Sequence, residues 1–313
     1  MQRIAILLLA LTLTGCGIQS SGGRHLDPDE EFAKLDSPDV TGVEESLLQS
    51  AKSAEEKHNY ERAASFYKQL ADQYADNYFY AYKLAESVRK AGDAEVAKPA
   101  YEKLLEQEPD NLDVREGYGL CLMATGEFVE AGRELAKVLE RDPERWRTLN
   151  ALGILFTTKN MVDEAIAYFD EALLQNPNNA AVMNNKGLAQ AIDRRYRDAV
   201  NTLDNARRRA ASDTRRKKQI SLNLALVLGV SGNLQQAEKV ASEHLDGPAL
   251  TNNLGLYAHL SKNDELAKSY LNMALSHSPV FYERAWENLD IITQQSENDK
   301  TGERTKQKSY KIR

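Results

Sequence analysis

Little in this sequence points to cross-linking, metal binding or membrane spanning. Two cysteines in 313 residues, Cys16 and Cys121, exclude a disulfide framework. The five histidines, at 25, 58, 244, 259 and 277, are scattered and form no helical ligand pair, and no Walker loop, dinucleotide glycine fingerprint or nucleophile elbow occurs. Carboxylates are plentiful but fall mostly on the expected outward helix faces, where solvated side chains are the rule. No catalytic group, no metal site and no enzymatic activity are therefore expected. The unbroken apolar run is Ile4 to Leu11, and crossing a bilayer takes roughly 20 such residues. Positive charge is also in short supply: the net charge is −7, which argues against general nucleic-acid binding.

What is present begins at the amino terminus. Arg3 precedes the apolar run, which continues through Thr12, Leu13, Thr14 and Gly15 to Cys16. A charged start, a short apolar core and small residues before a cleavage point describe a signal peptide over residues 1–15. Leu13-Thr14-Gly15-Cys16 resembles the bacterial lipobox. That resemblance implies cleavage before Cys16, diacylglycerol attachment to its thiol and acylation of the new amino terminus. The covalent lipid on Cys16 is then the one prosthetic group, and no other cofactor is expected. Several acyl chains, at about 0.8 kcal/mol per buried CH₂, anchor a protein stably. Gly17 stands where the inner-membrane retention signal is usually Asp, which implies the periplasmic face of the outer membrane. Losing Arg3 with the signal peptide moves the net charge from −7 to −8. Residues 16–43 read as a tether, Ser- and Gly-rich from Gly17 to Gly23 and then acidic.

The body carries an internal period. Pro109, Pro143 and Pro177 stand at intervals of 34, and so do Ala63, Ala97, Ala131, Ala165 and Ala199; Ala237 and Ala267 continue the series after an insertion. One copy is complete: Trp146, Leu149, Leu152, Gly153 and Phe156, then Ala165, Phe169, Ala172 and Pro177. Period and residue types resemble the tetratricopeptide repeat. The expected fold is all-α: a right-handed superhelical solenoid of about seven tetratricopeptide repeats over 44–279, a capping helix at 280–295 carrying Ala285, Trp286 and Leu289 on one face, and a disordered basic tail at 296–313.

Physical reasons support this register. Gly or Ala at the eighth repeat position and Ala at the twentieth let paired helices approach, while Leu or an aromatic at the twenty-fourth fills the space between them. Gly92, Gly126 and Gly232 fall in the tight turns, where a left-handed backbone favours glycine, with Asn160 and Arg194 in the equivalent places. Cys121, among Leu120, Leu122 and Met123, reads as a small buried apolar residue.

Two sets of residues stand out from the scaffold. Asn150, Asn184 and Asn252 share the fifth repeat position, and Asn185, Asn223 and Asn253 the sixth. In peptide-binding relatives the fifth position faces the concave groove, so the resemblance makes Asn150, Asn184 and Asn252 candidates for bonding a peptide backbone, which an amide can do as donor and acceptor. The sixth position suits bridging between repeats. The second set is the basic run Arg207, Arg208, Arg209, Arg215, Arg216, Lys217 and Lys218, where the register gains four residues. It reads either as a solvated helix end or as a docking patch for an acidic partner or lipid head groups.

The stretch from Ser221 to Gly229, with Gly232, Gln236-Ala237-Glu238 and Asn252-Asn253-Leu254-Gly255, resembles the TadD-type lipoprotein of the tight-adherence (Flp) pilus system. That resemblance implies a pilotin-like scaffold that holds a secretin or another pilus-assembly protein, with the membrane reached through the lipid and no nucleic-acid partner. The alternatives are a type IV pilus secretin pilotin, an envelope adaptor recruiting hydrolases, and, from another class, an envelope enzyme whose repeats recruit substrate.

Overall fold

The computed structural model describes residues 42–301, with side chains to 295. The expected signal peptide, Cys16 and the tether up to residue 41 lie outside the described residues, as does the tail from 302. Among the described residues there are fifteen helices and no strand. They are α1 Gly42–Glu56, α2 Tyr60–Gln73, α3 Tyr78–Ala91, α4 Ala94–Gln107, α5 Leu112–Ala124, α6 Phe128–Arg141, α7 Trp146–Thr158, α8 Val162–Gln175, α9 Ala180–Ile192, α10 Tyr196–Arg209, α11 Thr214–Val230, α12 Leu234–Ala241, α13 Gly247–Leu260, α14 Asp264–Ser276 and α15 Glu283–Thr301. The pairs α1–α2, α3–α4, α5–α6, α9–α10, α11–α12 and α13–α14 pack as helical hairpins, α7 and α8 are joined by a turn of the same kind, and one closing helix follows.

Each hairpin turn contains one left-handed residue. These are His58, Gly92, Gly126, Asn160, Arg194, Gly232 and Lys262, with φ between 56° and 107°. The next residue then returns its N–H to the helix just ended: Glu127 to Leu122 O at 2.8 Å, Arg195 to Gln190 O at 2.9 Å, Asn233 to Leu228 O at 2.9 Å. This closure satisfies carbonyls the helix end would otherwise leave without partners. At the other ends, Asn59, Asn77, Asn111, Asn179, Asn233 and Asn263 cap helices by accepting backbone N–H bonds.

Close packing follows from the repeat positions. All seven alanines at the twentieth position are buried to 1% exposure or less. A Cβ on Gly119 would lie 2.9 Å from Leu135, on Gly187 2.7 Å from Leu203, and on Gly255 2.8 Å from Leu271. Position eight is thus the socket for the side chain at position twenty-four of the same hairpin. Where that side chain is Tyr67 or Tyr101, position eight is Ala51 or Ala85, and all four are buried.

The chain divides into two compact units, residues 42–159 with 170–177, and residues 160–169 with 178–301. The first has cores around Ala63, Tyr67 and Leu70 and around Ala97, Tyr101 and Cys121. In the second, Ala258, Ala267, Leu271 and Ala274 pack with Ala285 and Ile292 of α15, which closes the last hairpin. That helix continues to Thr301, past residue 295 where the sequence reading ended it. The residues beyond are polar, but polarity alone does not stop a helix. Gln294 bonds Asp290 one turn earlier at 2.8 Å, and no proline or glycine intervenes before Gly302.

Candidate interaction surfaces

In the first unit, the first helices of three repeats present a charged face. Glu86 of α3 takes Arg89 at 2.9 Å, Lys90 at 3.0 Å and the Tyr101 hydroxyl at 2.6 Å. Burial alone would raise the Glu86 carboxyl, but Arg89 and Lys90, with the bonds donated by Arg89 and Tyr101, hold it well below the ordinary carboxylate value. Lys83 pairs with Glu55 at 3.0 Å, and Glu55 also accepts from the Tyr67 hydroxyl at 2.9 Å. Asp113 of α5 is held by Arg145 at 2.6 Å, which also reaches Asp142 at 2.9 Å. The buried Glu116 accepts from Thr148 Oγ1 of α7.

One cation on this face differs. The Arg147 guanidinium lies over the Trp146 ring, 5.4 Å from its centre. Its Nε is buried and has no hydrogen-bond partner among the described residues. With Tyr82, Glu86, Asp113, Glu116 and Leu120, Arg147 lines a small depression. These residues occupy the second, fifth and ninth repeat positions, so the register itself brings them to one face. Nothing in the sequence distinguishes Arg147 from other surface arginines. Nearby, Arg145 takes Asp113 and Thr148 takes one oxygen of Glu116.

The fifth-position asparagines are placed differently from the groove expectation. Asn150, Asn184 and Asn252 are 3%, 8% and 0% exposed. In the second unit, Asn184 Oδ1 accepts from Asn223 of the following repeat at 2.8 Å, and Asn252 Oδ1 accepts from Asn288 of α15 at 3.0 Å. Asn184 and Asn252 therefore bridge successive first helices.

The basic run spans the end of α10 and the start of α11. Arg207 pairs with Asp204 at 3.2 Å and Glu243 at 3.1 Å, Arg208 with Asp204, and Arg216 with Asp213 at 3.6 Å. Arg209, Arg215 and Lys218 are exposed and Lys217 half-buried. Cys121 is fully buried, and burial pushes its thiol up to about 12. Among the described residues, no three His, Cys, Asp or Glu side chains are grouped to hold a metal, and no helix is long and apolar enough to cross a membrane.

Family models described as tetratricopeptide repeat match residues 45–77, 88–152, 133–181 and 150–196. Among solved structures, the chain is similar to a tetratricopeptide repeat protein from Parabacteroides merdae, with 19% identity over 80% of this chain and 98% of that one and a TM-score of 0.55. It is similar to human IFIT1, with 16% identity, 79% and 62% coverage and a TM-score of 0.59. It is also similar to PilF of Pseudomonas aeruginosa, with 19% identity, 73% and 98% coverage and a TM-score of 0.50. At these identities the likeness is one of fold. No curated protein matches the sequence.

Proposed function

We propose that this tetratricopeptide-repeat chain is a lipid-anchored, pilotin-like scaffold that binds a protein of a Flp-type pilus or secretin complex at the charged face of its first unit. Tetratricopeptide repeats are protein-interaction modules, and a solenoid of paired helices offers surface rather than a reaction centre. The observation that carries the binding site is Arg147: a guanidinium that stacks on Trp146 while its buried Nε has no partner. A partner's carboxylate or carbonyl would meet that donor, and a charge-assisted bond there is worth more than a neutral one. Of the neighbouring carboxylates, Glu86 and Asp113 are already paired with cations, and Glu116 accepts from Thr148.

The placement at the outer membrane rests on the lipobox at Cys16, and the pilus system on the resemblance of residues 221–255 to the TadD-type lipoprotein. The fold shared with PilF agrees with this reading and adds no residue-level support. A photo-crosslinking amino acid at Leu120, which lines the depression, tests it in cells. Capture of a secretin or another pilus-assembly protein is the expected result. Capture of a peptidoglycan hydrolase would replace the pilus role with that of an envelope adaptor.

A further inference from the structure

The basic junction in the second unit calls for its own account. Arg207, Arg208 and Arg209 lie in the last turn of α10, where cations complement the helix dipole. Arg215, Arg216, Lys217 and Lys218 lie at the start of α11, the end at which the dipole disfavours them. Asp204, Asp213 and Glu243 neutralise Arg207, Arg208 and Arg216. Arg209, Arg215, Lys217 and Lys218 have no acidic partner among the described residues, so four cations remain concentrated in a chain of net charge −7. His244, in the turn after α12, has its pKa lowered chiefly by burial; Glu243 opposes that shift, and Lys218, Lys217 and Arg207 add to it.

The surroundings decide what such a patch can meet. No large hydrophobic residue is exposed between Leu174 and Leu266 among the described residues. Protein interfaces carry an apolar or aromatic centre that excludes water and are depleted in lysine. A surface with an excess of cations and no apolar centre suits instead a diffuse array of phosphates, each cation adding attraction that fades within a Debye length of about 8 Å.

We propose that the α10–α11 junction, through Arg209, Arg215, Lys217 and Lys218, is a contact surface for the anionic phospholipid headgroups of a bilayer. The choice of a bilayer over other polyanions rests on the Cys16 anchor proposed above, which would hold the body beside one. A lipid anchor plus a basic patch is an established two-signal arrangement for membrane contact. The rest of the acidic body would be repelled, so the patch would also set the orientation in which the repeats face their partner.

The test uses the full acylated chain carrying Ser212→Cys, in the exposed turn between α10 and α11, labelled with a fluorophore. Cys121 is buried and its thiol reacts poorly, so one label per chain is expected. The chain is reconstituted in vesicles of phosphatidylcholine alone or mixed with phosphatidylglycerol, each containing a quencher-bearing lipid. Quenching should be several-fold stronger on the mixed vesicles. The excess should vanish at high salt, in the fourfold variant Arg209→Glu, Arg215→Glu, Lys217→Glu and Lys218→Glu, and largely in the milder pair Arg215→Gln and Lys218→Gln. Equal quenching on both vesicle types overturns the proposal. So does a label that ignores both vesicles but responds to a polyglutamate peptide through the same four cations, because the patch would then read a protein. A second label at Cys16, or failure to enter the neutral vesicles, would count against the lipid anchor and is scored separately from the ratio of quenching.

Discussion

The Asn223 side-chain amide donates to Asn184 Oδ1 at 2.8 Å, and both residues are buried, on first helices of successive repeats. Such a bond ties neighbouring repeats where a solenoid has only nearest-neighbour contacts to hold it. Asn184→Ala should therefore strand the Asn223 donor in the interior, at a cost of about 1–3 kcal/mol. Urea titration of wild type and variant measures this directly, and an unchanged midpoint would show that the pair contributes nothing. The double variant Asn184→Ala with Asn223→Ala should cost less than the sum of the two singles, because it leaves no amide behind.

Position eight gives a second prediction. Gly187→Ala places a methyl 2.7 Å from Leu203, whose side chain is fully buried and cannot retreat into solvent. The expected destabilisation is about 1–3 kcal/mol. Adding Leu203→Val, which shortens the intruding side chain, should recover part of it. Gly92 offers the contrast: nothing lies within 4 Å of its would-be Cβ, but its φ of 107° strains any other residue. Gly92→Ala should thus destabilise through the backbone, with no side-chain substitution able to rescue it.

The repeat register could be read from spacing alone because it rests on local sterics: small residues at positions eight and twenty, a left-handed turn between them. Gly92, Gly126 and Gly232 stand out in this way, and Asn160 tolerates the same left-handed backbone. His58, Arg194 and Lys262 do not stand out by residue type, because turn geometry imposes a positive φ there whatever the side chain. The asparagines were legible only as a recurrence. Their recurrence is visible in the sequence, but whether an amide at the fifth position faces a groove or a neighbouring helix depends on how near that helix lies. Arg147 carried no signal at all, since an unmet donor is defined by the acceptors that its neighbours have already taken.

Acid should weaken the first unit through Glu86. Its folded carboxyl titrates below the ordinary value of 4.5 because Arg89, Lys90 and Tyr101 outweigh the effect of burial. A group whose folded pKa is lowered contributes stability that is complete above the unfolded pKa and is lost as pH falls through the folded one. The stability difference between wild type and Glu86→Gln should accordingly be constant near neutrality and shrink below about pH 4.5. A difference that stays level into strong acid would mean that Glu86 acts through packing alone.

The anchor has its own test. If Cys16 carries the acyl chains, Cys16→Ser should leave the repeat body folded, with an unaltered helical spectrum, while the protein leaves the outer-membrane fraction. Recovery of the variant in outer-membrane vesicles at the wild-type level would refute lipid attachment as the means of retention.

The last prediction separates binding from folding at Arg147. Its guanidinium has no hydrogen bond at Nε and no ion pair among the described residues, and its visible interaction is the stack on Trp146. Stacking at a partly exposed site is worth roughly 0.5–1 kcal/mol, so Arg147→Ala should barely move the urea midpoint. If a partner's carboxylate or carbonyl completes this donor, the same substitution removes a charge-assisted bond of about 1.5–3 kcal/mol, which corresponds to roughly a 10- to 150-fold loss of affinity. Arg147→Lys retains the charge but not the planar fork, and should fall between the two. Affinity for the crosslinked partner and stability are to be measured on the same preparations. A fall in both together would make Arg147 a structural residue. Stability and affinity both at the wild-type level would remove it from the binding face and leave the paired charges around Glu86 and Asp113 to account for recognition.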